Sequence, residues 1–245
     1  MHQGWADDGF FNGCAGASIE SGEGLVITEM QYNPQPELQG GVSIDGDLFE
    51  FIELHNTTNR AINIAGFTFL NGVDHTFDSD TVIEPGGYYV LASSADQFAQ
   101  RYGFASDATY RGRLDDGGET ITLVNTSAGV VDTVTWDDND PWPNAADGDG
   151  PSLALIDPAG DNERSEAWAP SSVIGGDPGE ANVTFAMGDA DGSGQVNSAD
   201  VQTILAHLAG REPDPFYVVV ADVDNSGSIN LLDALLVARQ VGLQQ

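Results

Sequence analysis

Residues 188–210, GDADGSGQVNSADVQTILAHLAG, and residues 221–242, ADVDNSGSINLLDALLVARQVG, are two copies of one pattern, with Asp222 lying 33 residues after Asp189. In the first copy Asp189, Asp191, Ser193, Gln195, Asn197 and Asp200 fall at positions 1, 3, 5, 7, 9 and 12 of a twelve-residue loop. In the second, Asp222, Asp224, Ser226, Ser228, Asn230 and Asp233 hold the same positions. A hard cation takes six to eight oxygens at about 2.3–2.6 Å. This spacing supplies them from side chains at 1, 3 and 5, a backbone carbonyl at 7, position 9 directly or through water, and a carboxylate at 12. Gly194 and Gly227 stand at position 6, where the backbone must turn in a way that strains other residues. Two Ca2+ ions are therefore expected, one per loop. Val196 and Ile229 at position 8 are expected to pair across the loops in a short ladder.

An apolar stripe follows each loop: Val201, Ile204, Leu205 and Leu208, then Ala234, Val237, Ala238 and Val241, both at helical spacing. Two such helices can pack against each other. No helix is expected ahead of either loop, because the first follows GEANVTFAM and the second follows the strand-like FYVVV. The unit is loop–helix twice. With aspartate at position 12 in both copies, it resembles a type I dockerin, a module that docks onto cohesins. The resemblance implies a cohesin-type partner and an extracellular setting. It also implies recognition through loop positions 10 and 11, here Ser198 and Ala199, and Leu231 and Leu232. Because the two pairs differ, docking in two equivalent orientations is not expected. The Leu231–Leu232 pair fits either a contact surface or helix packing.

Upstream, the chain reads as short strands: LVITEMQYN, FEFIELHN, AINIAGFTFLN, TFDSDTVIEPGGYYVLASS, GETITLVNTSAGVVDTVTWDD and PSLALIDP. Turn signals at Pro85-Gly86-Gly87, Asp116-Gly117-Gly118, Ala128-Gly129 and Asp149-Gly150-Pro151 separate them. Strands at such intervals predict an antiparallel β-sandwich. One helix is expected at Ala95–Tyr102, with Phe98 and Tyr102 on one face. EFIELHN, PGGYYVL, GGETITLVNTSAGVVDTVTW and GDGPSLALIDP resemble the lamin tail domain. That family implies an immunoglobulin-like sandwich serving as a binding or structural module, with a surface, polymer or protein as its ligand. The fold class expected is mostly β: an immunoglobulin-like antiparallel β-sandwich plus a small α-helical domain of paired calcium loops. The expected divisions are an N-terminal segment at 1–23, the sandwich at 24–160, its edge and a linker at 161–185, and the calcium module at 186–245.

The chain carries 39 acidic residues against seven arginines and no lysine, for a formal net charge of −32. Such a chain repels phosphate backbones and anionic membrane surfaces, so neither nucleic acid nor membrane insertion is expected. It attracts divalent cations and suits high salt, where self-repulsion is screened within about 8 Å at physiological strength. No run of 18 apolar residues occurs. Cys14 is the single cysteine, which rules out an intramolecular disulfide. MHQGWADDGFFNGCAGASIE lacks the basic and apolar stretches of a signal peptide, so a secreted or cell-surface location implies a missing true start.

Catalytic signatures are lacking. His2, His55, His75 and His207 are scattered, and no HExxH, serine elbow or Cys/His pair occurs. Glu50 and Glu53 point to opposite faces of one strand, so they do not form an acid–base pair; one is expected solvated and one partly buried. Asp137, Asp138, Asn139, Asp140, Asp147 and Asp149 read as a solvated acidic loop, with a further calcium site as the alternative, although no loop template fits them. Asn56, Asn125 and Asn182 open sequons that arise readily by chance. The leading expectation is a non-catalytic extracellular adaptor. The alternatives are the accessory end of a larger secreted hydrolase and a calcium-stapled structural cell-surface protein.

Overall fold

The computed structural model describes residues 19–139, 141–224 and 226–243; His2, Cys14 and Asp140, on which sequence readings fall, lie outside the described residues, as does most of segment 1–23. Short strands punctuated by glycine turns come first: β1 (Leu25–Gln31), β2 (Glu37–Gln39), β3 (Val42–Ile44), β4 (Phe51–Asn56) and β5 (Ile62–Asn63). Next are β6 (Thr68–Phe69), β7 (Val73–Asp74), β8 (Val82–Ile83) and β9 (Tyr88–Ala92), leading into helix α1 (Ala95–Tyr102). Then follow β10 (Ala108–Thr109), β11 (Arg111–Gly112), β12 (Thr120–Val124), β13 (Val130–Thr135), β14 (Pro151–Leu155) and β15 (Trp168–Ile174).

A six-stranded sheet runs in the order β10-β9-β4-β1-β14-β15, and a three-stranded sheet in the order β13-β12-β6. Neighbours are antiparallel except β10 with β9, which are parallel at the sheet edge. The β2–β3 hairpin turns at Gly40 and Gly41, both with positive φ, as its two-residue connection requires. Ile27, Ile52, Leu54 and Leu153 from the large sheet meet Phe69, Ile121, Leu123 and Val134 from the small one in a single buried core. Each such side chain contributes roughly 1.5–3 kcal/mol by leaving water.

In β1, a bulge after Ile27 resets the alternation, so Ile27 and Met30 both face the core although three residues apart. The same bulge sets Glu29 opposite Glu53 on the outer face. That face is not open to solvent. Helix α1, capped by Ser94 at its start and by left-handed Gly103 at its end, lays Phe98 and Tyr102 over Phe51 at 6.0 and 5.6 Å between ring centres.

Glu50 and Glu53 face opposite ways, as strand alternation demands, but the expectation of one solvated carboxylate is corrected: both are 0% exposed. Glu53 lies under the segment after β15, with Oε2 accepting from Gly179 N at 2.6 Å and Oε1 from Thr28 Oγ1 at 2.7 Å. Glu50 Oε2 accepts from Tyr110 Oη at 2.8 Å and Leu114 N at 3.0 Å. Burial raises both carboxyls to about 8.

The sequon asparagines are structural. Asn56 is fully buried and its Nδ2 donates to the carbonyls of Arg60, Ile83 and Glu84. Asn125 Nδ2 donates to Ser21 O and Asn182 Nδ2 to Thr28 O and Leu155 O. His55 stacks on Tyr88 and His207 on Phe216, while His75 Nδ1 sits 3.0 Å from Thr109 O.

Beyond the sandwich come helices α2 (Ser198–Leu208), α3 (Val218–Ala221) and α4 (Leu231–Leu243). The strand-like FYVVV is corrected: its valines form the single turn of α3, with Ala221 N bonding Tyr217 O at 3.0 Å. Val219, Val220 and Ala221 are buried there, with α3 against β15, so tertiary burial overrides the β-preference of valine. Helices α2 and α4 pack together around Ala190, Ile204, Ala221, Ala234 and Val237. Five buried residues are a thin core for an independent module, of the kind that a metal commonly completes. Val196 and Ile229 pack onto that core, and no ladder joins them among the described residues, contrary to expectation. The loops approach through their helices instead of through paired backbones.

Candidate metal centres

Each twelve-residue loop folds around its own first aspartate. Asp189 Oδ1 accepts from Ser193 N at 3.0 Å and Oδ2 from Gly194 N at 2.7 Å. In the second loop Asp222 Oδ1 accepts from Ser226 N at 3.1 Å and Oδ2 from Gly227 N at 2.7 Å. Gly194 and Gly227 have φ of 80° and 77°, the left-handed backbone that position 6 requires. Asp191 Oδ1 and Asp224 Oδ1 take a second bond from the same serine amides, at 3.0 and 3.2 Å.

The position-12 aspartates close the rings from the first turns of α2 and α4. Asp200 Oδ2 accepts from Asn197 N at 2.8 Å and Oδ1 from Asp191 N at 3.1 Å. Asp233 Oδ2 accepts from Asn230 N at 2.8 Å and Oδ1 from Val223 N at 2.9 Å. Asn197 and Asp200 form a capping box, so one residue pair starts the helix and shapes the loop. The carbonyls of Gln195 and Ser228 at position 7 each draw the serine and asparagine side chains from positions 5 and 9. Ser193 Oγ and Asn197 Nδ2 lie 3.3 and 3.0 Å from Gln195 O; Ser226 Oγ and Asn230 Nδ2 both lie 3.1 Å from Ser228 O.

Carboxylate oxygens of Asp189, Asp191 and Asp200 lie within 4.8 Å of one another, and so do those of Asp222, Asp224 and Asp233. Burial pushes the Asp200 carboxyl up, and the charges of Asp191 and Asp189 add to the rise. Three carboxylates converge with oxygens of positions 5, 7 and 9 in the same loop, and among the described residues no arginine is ion-paired to either set. This donor set is all oxygen, the chemistry that suits a hard divalent cation. Of the residues singled out in the sequence, the three aspartates of each loop converge, and those at positions 5, 7 and 9 hydrogen-bond to one another within the same loop.

At the entrances of the helices, Ser198 is exposed and Ala199 half-buried. Leu231 and Leu232 are 68% and 47% exposed, so they do not pack the helices together. Leu235, one turn after Leu231 and 63% exposed, extends their face; its i, i+4 spacing from Leu231 was legible in the sequence. Of the apolar stripe on α2, only Ile204 is fully buried, while Leu205 and Leu208 are exposed. The Asp137–Asp149 segment holds no cluster of three metal-type ligands among the described residues; Asp137 Oδ1 instead accepts from Asn139 N, and Asp147 Oδ1 from Asn33 Nδ2. Among the described residues no helix is long and apolar enough to cross a membrane.

Comparison with protein-family models matches residues 19–138 to the Lamin Tail Domain and residues 187–242 to the Dockerin type I domain. No curated protein matches the chain. Both matched domains are non-catalytic modules, and the second is a calcium-binding one. The chain carries a lamin tail domain followed by a type I dockerin domain.

Proposed function

We propose that this chain is a non-catalytic, extracellular, calcium-dependent adaptor. The dockerin domain holds two Ca2+ ions through Asp189, Asp191, Ser193, Gln195, Asn197 and Asp200, and through Asp222, Asp224, Ser226, Ser228, Asn230 and Asp233. Gln195 and Ser228 serve through their carbonyls. With calcium bound, the module attaches to a cohesin-type partner, and the sandwich carries a second binding surface for a polymer or protein. The observation that carries this reading is the duplicated carboxylate cluster, closed by the first turn of each helix and set beside exposed Leu231 and Leu232.

Each ion offsets the repulsion between a position-12 aspartate and the other carboxylates of its loop, so calcium binding is folding free energy for this thin-cored module. Ser198–Ala199 and Leu231–Leu232 differ in polarity, and the partner is read mainly through the second, apolar pair. The test is capture of an immobilised cohesin-type module by the full chain, in millimolar calcium and after chelation, alongside far-UV circular dichroism. Expected is capture with calcium only, and loss of the α2 and α4 helical signal with chelator while the sandwich persists. Helicity unchanged by chelation, or capture indifferent to calcium, overturns the reading.

A further inference from the structure

A third carboxylate cluster lies in the sandwich, away from the paired loops. One oxygen each from Asp47, Glu50 and Asp116 lies within 4.8 Å of the others. Two separate pieces of backbone bring them there. Asp47 sits in the 3-10 turn Gly46–Phe49, which Asp45 caps, and Glu50 ends that turn at the mouth of β4. Asp116 comes from the turn between β11 and β12, closed by Gly118 N to Asp115 O at 3.0 Å. Gly118 has φ of 97°, and a side chain there would strike the Trp136 carbonyl, so this turn is pressed directly onto β13's end.

Acidic clusters alone are common on so acidic a surface. What separates this one is Glu50. Its side chain is 0% exposed, and its Oε1 is buried without any hydrogen-bond partner. The other oxygen, Oε2, is held by Tyr110 Oη and Leu114 N, while Oε1 has no protein donor. A buried acceptor left unmade costs about 1–3 kcal/mol, and more when charged. The basic group in reach of the cluster is Arg113, an exposed side chain whose Nη1 lies 3.3 Å from Asp47 Oδ2 and which, among the described residues, is not paired to Glu50. The cluster therefore has a buried member, Glu50, that keeps one orphaned oxygen, and an exposed member, Asp116, from whose side an ion and its waters can enter.

We propose that Asp47, Glu50 and Asp116 form a third divalent-cation site, built into the sandwich and independent of the dockerin loops, which takes calcium. All donors are hard oxygens, and with three carboxylates and the rest of the shell water, the affinity expected is modest, about 10⁻⁴–10⁻³ M. The ion bridges the turn before β4 to the turn before β12, tying the large sheet to the small one at that end of the sandwich. Arg113 is its competitor for Asp47.

The test uses the full chain carrying Asp189→Asn and Asp222→Asn, which disables the two loops, and titrates it with calcium by calorimetry. Expected is one remaining ion, whose binding Asp116→Asn weakens about tenfold or more. Asp116 is exposed, so this substitution leaves the core intact where Glu50→Gln would disturb it. Terbium in the same background gives a second readout: emission sensitised by Tyr110, whose hydroxyl touches Glu50, present in the loop variant and lost on adding Asp116→Asn. No ion bound in the loop variant, or an ion indifferent to Asp116→Asn, overturns the site. Either failure leaves cohesin capture by the native chain untouched, so it is distinguishable from failure of the adaptor reading.

Discussion

Glu53 lies fully buried between β4 and the segment after β15, with no basic side chain paired to it among the described residues. Burial is the main reason its carboxyl rises to about 8, partly opposed by the bonds from Gly179 N and Thr28 Oγ1. Folded Glu53 thus keeps a proton that the unfolded chain gives up near the ordinary carboxyl value of 4.5. Its contribution to stability is fully present below that value and is lost as pH rises toward about 8, on the order of a few kcal/mol. Glu53→Gln mimics the protonated carboxyl, with an amide donating to Thr28 and a carbonyl accepting from Gly179. The variant is expected to melt higher than the native chain at alkaline pH and equally at pH 4, as checked by thermal denaturation across pH. A native-like decline in the variant would contradict this. Sequence alternation assigned Glu50 and Glu53 to opposite faces correctly. It expected one partly buried carboxylate and missed that both are fully buried, because the covering groups come from far along the chain: Gly179 is 126 residues from Glu53, and Tyr110 is 60 from Glu50.

Helix α4 divides cleanly by face. Val237 is 0% exposed in the small core, whereas Leu231, Leu232 and Leu235 project outward. A charge at Val237 leaves an unpaired buried carboxylate, which no five-residue core can accommodate. Val237→Asp is expected to unfold the module and lose calcium with it. Leu231→Asp with Leu235→Asp is expected to retain both ions and the helical signal while lowering cohesin capture at least about tenfold, since apolar anchors dominate such contacts. Calorimetry and capture on the same samples separate the two outcomes; calcium loss in the leucine variant would return those residues to a packing role. The helical period placed both stripes on the right helices. It overstated their burial, because Leu205, Leu208 and Ala238 share the period but lie where neither helix has a neighbour. The α3 turn was illegible for the complementary reason: three valines favour a strand only where another strand is there to pair.

Over the whole molecule, a charge of −32 with ion pairs such as Arg101–Glu37 at 2.6 Å leaves most carboxylates facing one another through solvent. The Debye length falls from about 30 Å at 0.01 M salt to about 3 Å at 1 M, so added salt relieves that repulsion. In chelator, the melting temperature of the sandwich is expected to rise with sodium chloride, by about 2–4 °C for each kcal/mol relieved. A flat or falling profile in scanning calorimetry would show the charge to be already neutralised within the fold. The two domains also touch: Phe185, whose amide donates to Ser172 Oγ of β15 at 2.9 Å, packs edge-on against Tyr217 at 4.6 Å. By itself the sequence determined the paired loops, their helices and the succession of strands, because each is a local pattern: fixed ligand spacing, a 3.6 or twofold period, glycine where φ must be positive. The tertiary structure alone decided which carboxylates are buried, that the Trp168–Ile174 segment joins the large sheet, that the valines before the second loop coil, and that Asp47, Glu50 and Asp116 converge. Those outcomes depend on residues distant in the chain meeting in space, and burial, unlike period, is a property that a residue acquires only from its neighbours.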